Sequence, residues 1–291
     1  MYNGALVAMI TPFTQDNRID KDGLRSNIDF LAQGGVSGIV PSGTTGESAT
    51  LTFQEHKDLI DMTVDYSTVP IIAGTGSNNT TEALDLTKYA ADAGADAALL
   101  ISPYYNKPND AGIIKHFTTI ADNADIPQIL YNVPNRTSIN MKPEITSQLA
   151  KHPNIVGIKE ASGDLNQISM IIEMTRDEDF VIISGDDALT LPIMALGGVG
   201  VISVAANIVP DKVSSLIKAF NNGDMNESQR LHRELAPFIR SLFLETNPVP
   251  VKKAAQLVGH AAGHLRLPLV PISPENEARL IVELKAIGVL S

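Results

Sequence analysis

A lysine stands within an apolar run near the middle of the sequence, where Ile155–Ser162 reads IVGIKEAS. Removing an ammonium group from water lowers its pKa and leaves more of it as the nucleophilic amine. Lys159 is therefore a candidate for imine formation with a ketone, and the imine of a 2-oxo acid can lose a methyl proton or break an adjacent C–C bond. The structural alternative is a lysine that reaches solvent from the strand end or pairs with Glu160.

Three other apolar runs end in polar segments that could assist this chemistry. These segments are SGTTGES (Ser42–Ser48), SPYYNKP (Ser102–Pro108) and YNVPNRT (Tyr131–Thr137). Tyr131 could shuttle protons if another hydroxyl, such as that of Thr44, connected it to solvent. Tyr104 and Tyr105 are similar candidates. For each tyrosine the alternative is amphipathic packing at a rim or at a subunit contact.

Two of these segments could bind carboxylates. The backbone N–H groups of the turn at Gly43–Glu47, together with the hydroxyls of Thr44 and Thr45, could hold one carboxylate. Arg136 could clamp a second in a two-pronged contact. The alternatives are a simple turn between a strand and a helix, and a surface arginine.

The elements that carry these segments must bring them together. Short apolar runs alternate with amphipathic stretches, and eight of them are candidate strands: ALVAMITPF, SGIVPSG, PIIAGTG, AALLISPYY, PQILYNVP, IVGIKEAS, FVIISGDD and GVGVISVAANI. Continuous hydrophobicity indicates strands that are covered on both faces, as in parallel sheets. Eight such units in about 220 residues predict a (β/α)8 TIM barrel, whose active site lies at the C-terminal ends of its strands. An open doubly wound sheet is the alternative.

Helical patterns occupy Thr52–Tyr66, Thr80–Ala93 and Leu165–Thr175, and several begin at a capping residue. After Pro210 the strand signals stop. The remaining patterns are helical and cover Met225–Leu244, Val249–Val258 and Pro274–Ile287. We predict a catalytic barrel domain in residues 1–224 and a C-terminal helical domain in residues 225–291.

Composition excludes several classes of protein. The chain has 33 acidic and 22 basic residues, so we expect neither nucleic acid nor membrane as a partner. The absence of cysteine excludes disulfides, thiolate catalysis and Cys-ligated metals. No apolar run approaches the roughly 20 residues that span a bilayer, and the N-terminus lacks a basic leader. We expect an unprocessed cytoplasmic protein.

Other motifs do not support a metal or a cofactor. His260 and His264 have a metal-binding spacing, but no glutamate accompanies them and Gly263 weakens the helix. Neither GTTGES nor GGVGVIS matches a phosphate or dinucleotide loop, and a pyridoxal-phosphate site would need such a cradle. Asp186 and Asp187 are interpreted as a strand end that caps the next helix, with a catalytic pair of carboxylates as the alternative. We expect no metal and no cofactor.

The chain as a whole resembles the dihydrodipicolinate synthase family, within the superfamily of N-acetylneuraminate lyase and other pyruvate class I aldolases. The resemblance extends from LVAMITPF through GTTGES, SPYYNKP, YNVPNRT and GIKEASGD to ISGDD and GGVGVISVAAN. It implies a lyase in which Lys159 forms an imine with pyruvate. The enamine would attack the aldehyde of L-aspartate 4-semialdehyde and give 4-hydroxy-tetrahydrodipicolinate, in the first committed step of diaminopimelate and lysine biosynthesis.

The resemblance also implies the residues of the site. Its catalytic residues would be Lys159, Tyr131, Thr44 and Tyr105, and its substrate-binding residues Thr45, Arg136, Gly185 and Ile202. Tyr105 is expected from a neighbouring subunit. Thr45 would bind the carboxylate of pyruvate, and Arg136 that of the semialdehyde. Gly185 and Ile202 would lie near the keto acid through their backbone.

Family members are usually homotetramers built as dimers of dimers, and many are inhibited by lysine at the tight dimer contact. The matching effector positions are Ser48, Ala49, His56, Asn78, Glu82 and Tyr104. Phe53 departs from the pattern, because lysine-sensitive bacterial enzymes tend to have histidine there. We therefore expect weak inhibition by lysine or none.

Two rival functions remain at this point. The first is a related aldolase acting on a 2-keto-3-deoxy sugar acid or a sialic acid, but such a polyol needs hydroxyl partners rather than the guanidinium of Arg136. The second is a keto-acid sensor without turnover. The presence of Lys159, Tyr131, Thr44 and Tyr105 argues against a sensor.

Overall fold

The computed structural model describes residues 2–291, which form eight strands, alternating with helices, and a group of helices after the last strand. The strands are β1 (Gly4–Ala8), β2 (Gly38–Val40), β3 (Ile72–Gly74), β4 (Ala97–Ile101), β5 (Gln128–Asn132), β6 (Ile155–Glu160), β7 (Val181–Ser184) and β8 (Gly200–Ser203). The helices are α1 (Lys21–Gln33), α2 (Phe53–Tyr66), α3 (Thr80–Asp92), α4 (Asp110–Asn123), α5 (Pro134–Thr137), α6 (Pro143–Leu149), α7 (Leu165–Met174), α8 (Thr190–Leu196), α9 (Pro210–Asn221), α10 (Met225–Ser241), α11 (Val249–Leu257) and α12 (Pro274–Ala286).

The sheet closes into a barrel of parallel strands. Its order is β2-β1-β8-β7-β6-β5-β4-β3, and a parallel bridge between Ile39 and Ile71 joins the two ends. The prediction of a TIM barrel is confirmed, and the open doubly wound sheet is wrong. No helix within residues 2–291 has both the length and the apolar character needed to cross a membrane.

The predicted helices begin at polar caps. Thr52 and Glu55 form a reciprocal capping box at the start of α2, with the Glu55 N–H donating to Thr52 Oγ1 over 3.2 Å. Asn79 and Asp164 cap α3 and α7 without a reciprocal contact, by accepting N–H groups of the first turn. The predicted bounds of α2, α3 and α7 therefore agree with the structure to within one residue.

The C-terminal helices pack against the barrel. Buried residues of α10 and α12, such as Phe238 and Leu280, belong to the same apolar cluster as Val7 in β1 and Leu24 in α1. The core of the C-terminal helices is thus continuous with that around the barrel. The proposed division into residues 1–224 and residues 225–291 stays a prediction.

A buried ion pair joins α11 to the turn after β2. Lys252 Nζ donates to Glu47 Oε1 over 2.6 Å, and the two side chains are 2% and 0% exposed. The same nitrogen donates to the carbonyl oxygens of Thr11 (3.1 Å) and His264 (2.7 Å), so its three N–H groups are all used. Glu47 Oε2 accepts the backbone N–H of Arg266 over 3.1 Å. The C-terminal segment is therefore tied to this turn by buried polar contacts.

Candidate active site

The C-terminal ends of the strands surround a cavity of about 1030 Å³. Six of the eight predicted catalytic and substrate-binding residues line it: Thr44, Thr45, Tyr131, Arg136, Lys159 and Gly185. The polar segments that follow β2, β5, β6 and β7 therefore meet at one end of the barrel, as its geometry requires.

Lys159 points into the barrel. Successive side chains of a strand face opposite sides, so Ile158 packs among the helices outside while Lys159 projects inward. The lysine is 6% exposed, and its Nζ lies 4.3 Å from the centre of the Tyr131 ring. This burial rules out a lysine that extends from the strand end into solvent.

The adjacent carboxylate, Glu160, lies on the other face of β6. Its oxygens accept hydrogen bonds from Asn132 Nδ2 (3.0 Å), the Ser162 N–H (2.6 Å) and Gln167 Nε2 (3.3 Å). These donors surround the carboxylate outside the barrel. The alternative in which Glu160 pairs with Lys159 is therefore wrong.

The environment of Lys159 favours its neutral form. Burial lowers the pKa of its amine to about 8, and the positive charge of Arg136 acts in the same direction. The negative charge of Asp187 opposes them, and its effect is smaller than that of burial but larger than that of Arg136. At pH 7.5 a pKa of about 8 leaves roughly a quarter of the amine unprotonated, against roughly a thousandth for a lysine in water.

This pKa predicts how imine formation depends on pH. Because only the neutral amine attacks a ketone, the rate with subsaturating pyruvate should rise about tenfold per pH unit below pH 8 and level off above it. Trapping the imine with cyanoborohydride at short times measures that rate. A rate that is flat between pH 6 and pH 9 would contradict the assignment.

Tyr131 lies beside the lysine on the neighbouring strand. The two residues are in register in the pairing of β5 with β6, and the tyrosine is 8% exposed. Burial raises the pKa of its phenol to about 12, although Arg136 and the Thr44 hydroxyl act in the opposite direction. The phenol therefore keeps its proton at neutral pH and can donate it to a leaving hydroxyl next to Lys159.

Gly185, directly after β7, leaves space beside the lysine. A Cβ atom at this position would lie 3.2 Å from Lys159 Cε and 2.7 Å from Ala161 Cβ. Any other residue would therefore crowd the Lys159 side chain. Ile202 in β8 is 1% exposed and belongs to the apolar cluster inside the barrel that also contains Tyr131.

Two groups suited to carboxylates stand at the rim, and both contact Asn247. Arg136 is exposed on α5, and its guanidinium donates to the Asn247 carbonyl oxygen over 3.1 Å. Thr45 is buried, and its hydroxyl oxygen accepts from Asn247 Nδ2 over 2.9 Å. The sequence did not reveal Asn247, because it falls between the helical patterns Met225–Leu244 and Val249–Val258 and belongs to no recognised motif.

Asp187 is a second residue whose role the sequence did not reveal. Asp186 caps the short helical turn after β7, as predicted, by accepting the Ala188 N–H over 2.9 Å. Asp187 instead turns inward and accepts the Ser203 hydroxyl and the Val204 N–H, the latter over 2.8 Å. It therefore fixes the end of β8 and places a negative charge near Lys159. The GDD triplet was the only feature of the sequence that pointed to Asp187.

The predicted effector residues divide into two groups. Ser48, Ala49, His56, Glu82 and Tyr104 line an extension of the same cavity, together with Phe53. Asn78 does not line it, and its carbonyl oxygen accepts from Asn106 Nδ2 over 2.9 Å. Tyr105 is 87% exposed and also lies outside the lining of this cavity. Within residues 2–291 no three His, Asp or Glu side chains are grouped to hold a metal ion.

Known proteins match this chain along its whole length. The 4-hydroxy-tetrahydrodipicolinate synthase of Methanosarcina mazei is 62% identical over 290 residues, which is 100% of both chains. The dihydrodipicolinate synthase of Cyanidioschyzon merolae, solved with lysine bound, is 41% identical with a TM-score of 0.96 over 99% of each chain. That of Acinetobacter baumannii, solved with pyruvate, is 39% identical with a TM-score of 0.97 over 100% of each. The profile of the dihydrodipicolinate synthetase family matches residues 1–287, and the chain belongs to this family.

Proposed function

We propose that this chain is a lyase that condenses pyruvate with L-aspartate 4-semialdehyde to give 4-hydroxy-tetrahydrodipicolinate, at the start of diaminopimelate and lysine biosynthesis. The observation that carries the proposal is the amine of Lys159, which burial holds near a pKa of 8 beside the protonated phenol of Tyr131. The name of the relative from Methanosarcina mazei supports this reaction, and the bound pyruvate of the Acinetobacter baumannii relative supports the first substrate.

The reaction begins when the neutral amine of Lys159 attacks C2 of pyruvate and forms a carbinolamine. Tyr131 donates its proton to the carbinolamine hydroxyl, which leaves as water and gives the iminium ion. The Tyr131 phenolate then takes up a methyl proton, which converts the iminium ion into an enamine and restores the phenol. The enamine carbon then bonds to the aldehyde carbon of the semialdehyde, and its oxygen takes up a proton relayed by Tyr131 and Thr44. Finally, the amino group of the semialdehyde attacks C2, closes the ring and releases Lys159.

Substrate binding is assigned to the two groups at the rim. The hydroxyl of Thr45 and the N–H groups of its turn bind the carboxylate of pyruvate, which the imine with Lys159 places nearby. Arg136 binds the carboxylate of the semialdehyde, since a guanidinium can hold both oxygens at once. Gly185 lines the space around the keto acid, and Ile202 lies near it through its backbone.

The active site also takes Tyr105 from a neighbouring subunit of a cytoplasmic homotetramer, arranged as a dimer of dimers. Tyr105 supports this assembly by its own geometry, since it combines an exposed ring with a φ of +70°. A bulky residue in the left-handed region is strained and persists where the surrounding structure requires it. The ring would extend the proton relay of Tyr131 and Thr44 in the adjacent subunit.

The direct test is the condensation itself. The purified chain is mixed with pyruvate and L-aspartate 4-semialdehyde, and the product is reduced by added dihydrodipicolinate reductase at the expense of NADPH. We expect consumption of NADPH that requires both substrates. If no NADPH is consumed while Lys159 still forms a pyruvate adduct, the imine chemistry stands and the substrate becomes a 2-keto-3-deoxy sugar acid or a sialic acid.

Regulation by lysine is expected to be weak or absent. Phe53 lines the extension of the cavity, is 44% exposed and has Lys57 Nζ 5.3 Å from its ring centre. A phenyl ring offers the effector no hydrogen bond, and the nearby ammonium of Lys57 repels the side-chain ammonium of a bound lysine. Initial rates against lysine concentration measure the effect. A steep inhibition curve at sub-millimolar lysine would contradict the prediction, and Phe53→His should increase the sensitivity.

A further inference from the structure

Asn247 contacts both groups that the proposed function assigns to the substrate carboxylates. It lies in the loop between α10 and α11, is 6% exposed and lines the cavity. Its side-chain amide donates to Thr45 Oγ1 over 2.9 Å, across 202 positions of the chain. Its main-chain carbonyl accepts from the Arg136 guanidinium over 3.1 Å. One residue of the C-terminal segment thus connects the two binding groups.

The bond to Thr45 sets the direction of the threonine hydroxyl. A hydroxyl has one proton to donate and lone pairs with which to accept. Since the oxygen of Thr45 already accepts the N–H of Asn247, its own proton is left for another acceptor, and residues 2–291 supply none to it. A carboxylate can only accept hydrogen bonds. The contact with Asn247 therefore prepares Thr45 to donate to the substrate.

The neighbouring ion pair keeps Asn247 in place. The Val249 N–H donates to the Thr246 carbonyl over 2.9 Å and closes a turn around Asn247. Three residues further on, Lys252 is bound to Glu47, which belongs to the same turn as Thr45. Two contacts of this segment, at residues 247 and 252, are therefore made with one turn of the barrel. Together they fix the position of the segment relative to that turn.

The other end of the amide indicates that stability alone does not explain this arrangement. Asn247 Oδ1 is buried and has no hydrogen-bond partner among residues 2–291. Buried polar atoms normally have a partner, and an exception in a native structure calls for an explanation. The amide of Asn247 is thus held with its Nδ2 donating to Thr45, even though its Oδ1 has no hydrogen-bond partner.

We infer that Asn247 is a positioning residue, which holds the Thr45 hydroxyl as a donor to the carboxylate of pyruvate. The inference rests on the proposed function, because it takes Thr45 as the pyruvate-binding group. It applies to the first substrate only, since the contact of Arg136 is with the main chain of Asn247 and survives a change of side chain.

The test uses two substitutions with opposite structural consequences. Asn247→Ala removes the donor and the shape of the side chain, whereas Asn247→Asp keeps the shape and accepts the Thr45 proton instead. We expect the pyruvate concentration for half-maximal borohydride trapping on Lys159 to rise about fivefold for alanine and at least about twentyfold for aspartate. The KM for the semialdehyde in the alanine variant should change less than about threefold. A packing role would give the reverse order, with alanine worse than aspartate, and would overturn the inference.

A second comparison, in the Thr45→Val variant, tests whether the effect of Asn247→Ala on pyruvate binding depends on the Thr45 hydroxyl. In Thr45→Val the hydroxyl is absent, so adding Asn247→Ala should change half-saturation by pyruvate less than about twofold. Equal effects of Asn247→Ala in both backgrounds would overturn the inference, and this comparison remains informative if the aspartate variant does not fold. A native chain that forms no pyruvate adduct would instead refute the proposed function.

Discussion

Lys159→Ala is expected to form no pyruvate adduct and to lose at least about 10³-fold in turnover, because the proposed mechanism uses the Lys159 amine to attack C2 of pyruvate. Borohydride reduction in the presence of pyruvate, followed by peptide mass spectrometry, locates the adduct, and the coupled assay measures turnover. Lys151→Ala is the matched control, since Lys151 is an exposed lysine just before β6. It should keep both adduct and turnover. An adduct on any lysine other than Lys159 would refute the assignment.

The same position should show that the reactive amine destabilises the fold. The pKa of Lys159 falls from an ordinary value of 10.5 to about 8 in the folded chain. Between these two pH values the unfolded chain holds the proton and the folded chain does not, so stability rises with pH in this window. Below pH 8 the folded chain carries the full unfavourable energy of a buried charge, about 3 kcal/mol. Lys159→Met, which keeps the length of the side chain, should therefore unfold at higher urea concentration than the native chain at pH 7.

Lys252→Met is expected to lower the free energy of unfolding by about 3–5 kcal/mol, although Lys252 does not line the cavity. The substitution removes the positive partner of Glu47, whose side chain is 0% exposed. An uncompensated carboxylate then remains buried, and the carbonyl oxygens of Thr11 and His264 lose their donor. Urea unfolding followed by circular dichroism measures the loss. A change below about 1 kcal/mol would show that the pair contributes little.

A double variant separates the buried charge from the loss of the lysine side chain. Glu47→Gln removes the negative charge but retains an oxygen for the Arg266 N–H, which bonds to Glu47 over 3.1 Å in the native chain. Lys252→Met combined with Glu47→Gln should therefore recover more than half of the lost stability. If the losses of stability in the two single variants simply add in the double variant, the charges of Glu47 and Lys252 do not stabilise each other.

The architecture could be predicted because parallel strands in a barrel are covered on both sides and therefore read as continuous apolar runs. The runs are nevertheless longer than the strands: ALVAMITPF contributes only as far as Ala8 to β1, and SGIVPSG contributes Gly38–Val40. The residues beyond each strand are the loops of the active face. Lys159 was recognisable for the same reason, since a charged side chain within a buried strand contradicts its surroundings.

The contribution of the C-terminal segment could not be predicted, because it depends on contacts between distant parts of the chain. Lys252 lies in an amphipathic helical pattern, where lysine normally marks the solvent side, and nothing near it in sequence indicates Glu47. The pairs formed by residues 247 and 45 and by residues 252 and 47 exist only after the barrel has closed and the last helices have docked. Local patterns carry no information about such docking.

The ion pair between Glu47 and Lys252 also has a consequence during translation. The two residues are 205 positions apart, so at ribosomal rates of about 5–20 residues per second roughly 10–40 s separate their synthesis. In that interval a nascent chain can already contain all eight strands and Lys159. The turn that carries Thr45 nevertheless lacks its partners, residues 247 and 252, which are synthesised about 200 positions later. The growing chain therefore contains Lys159 before the turn with Thr45, the proposed binding group for the keto acid, is held in place.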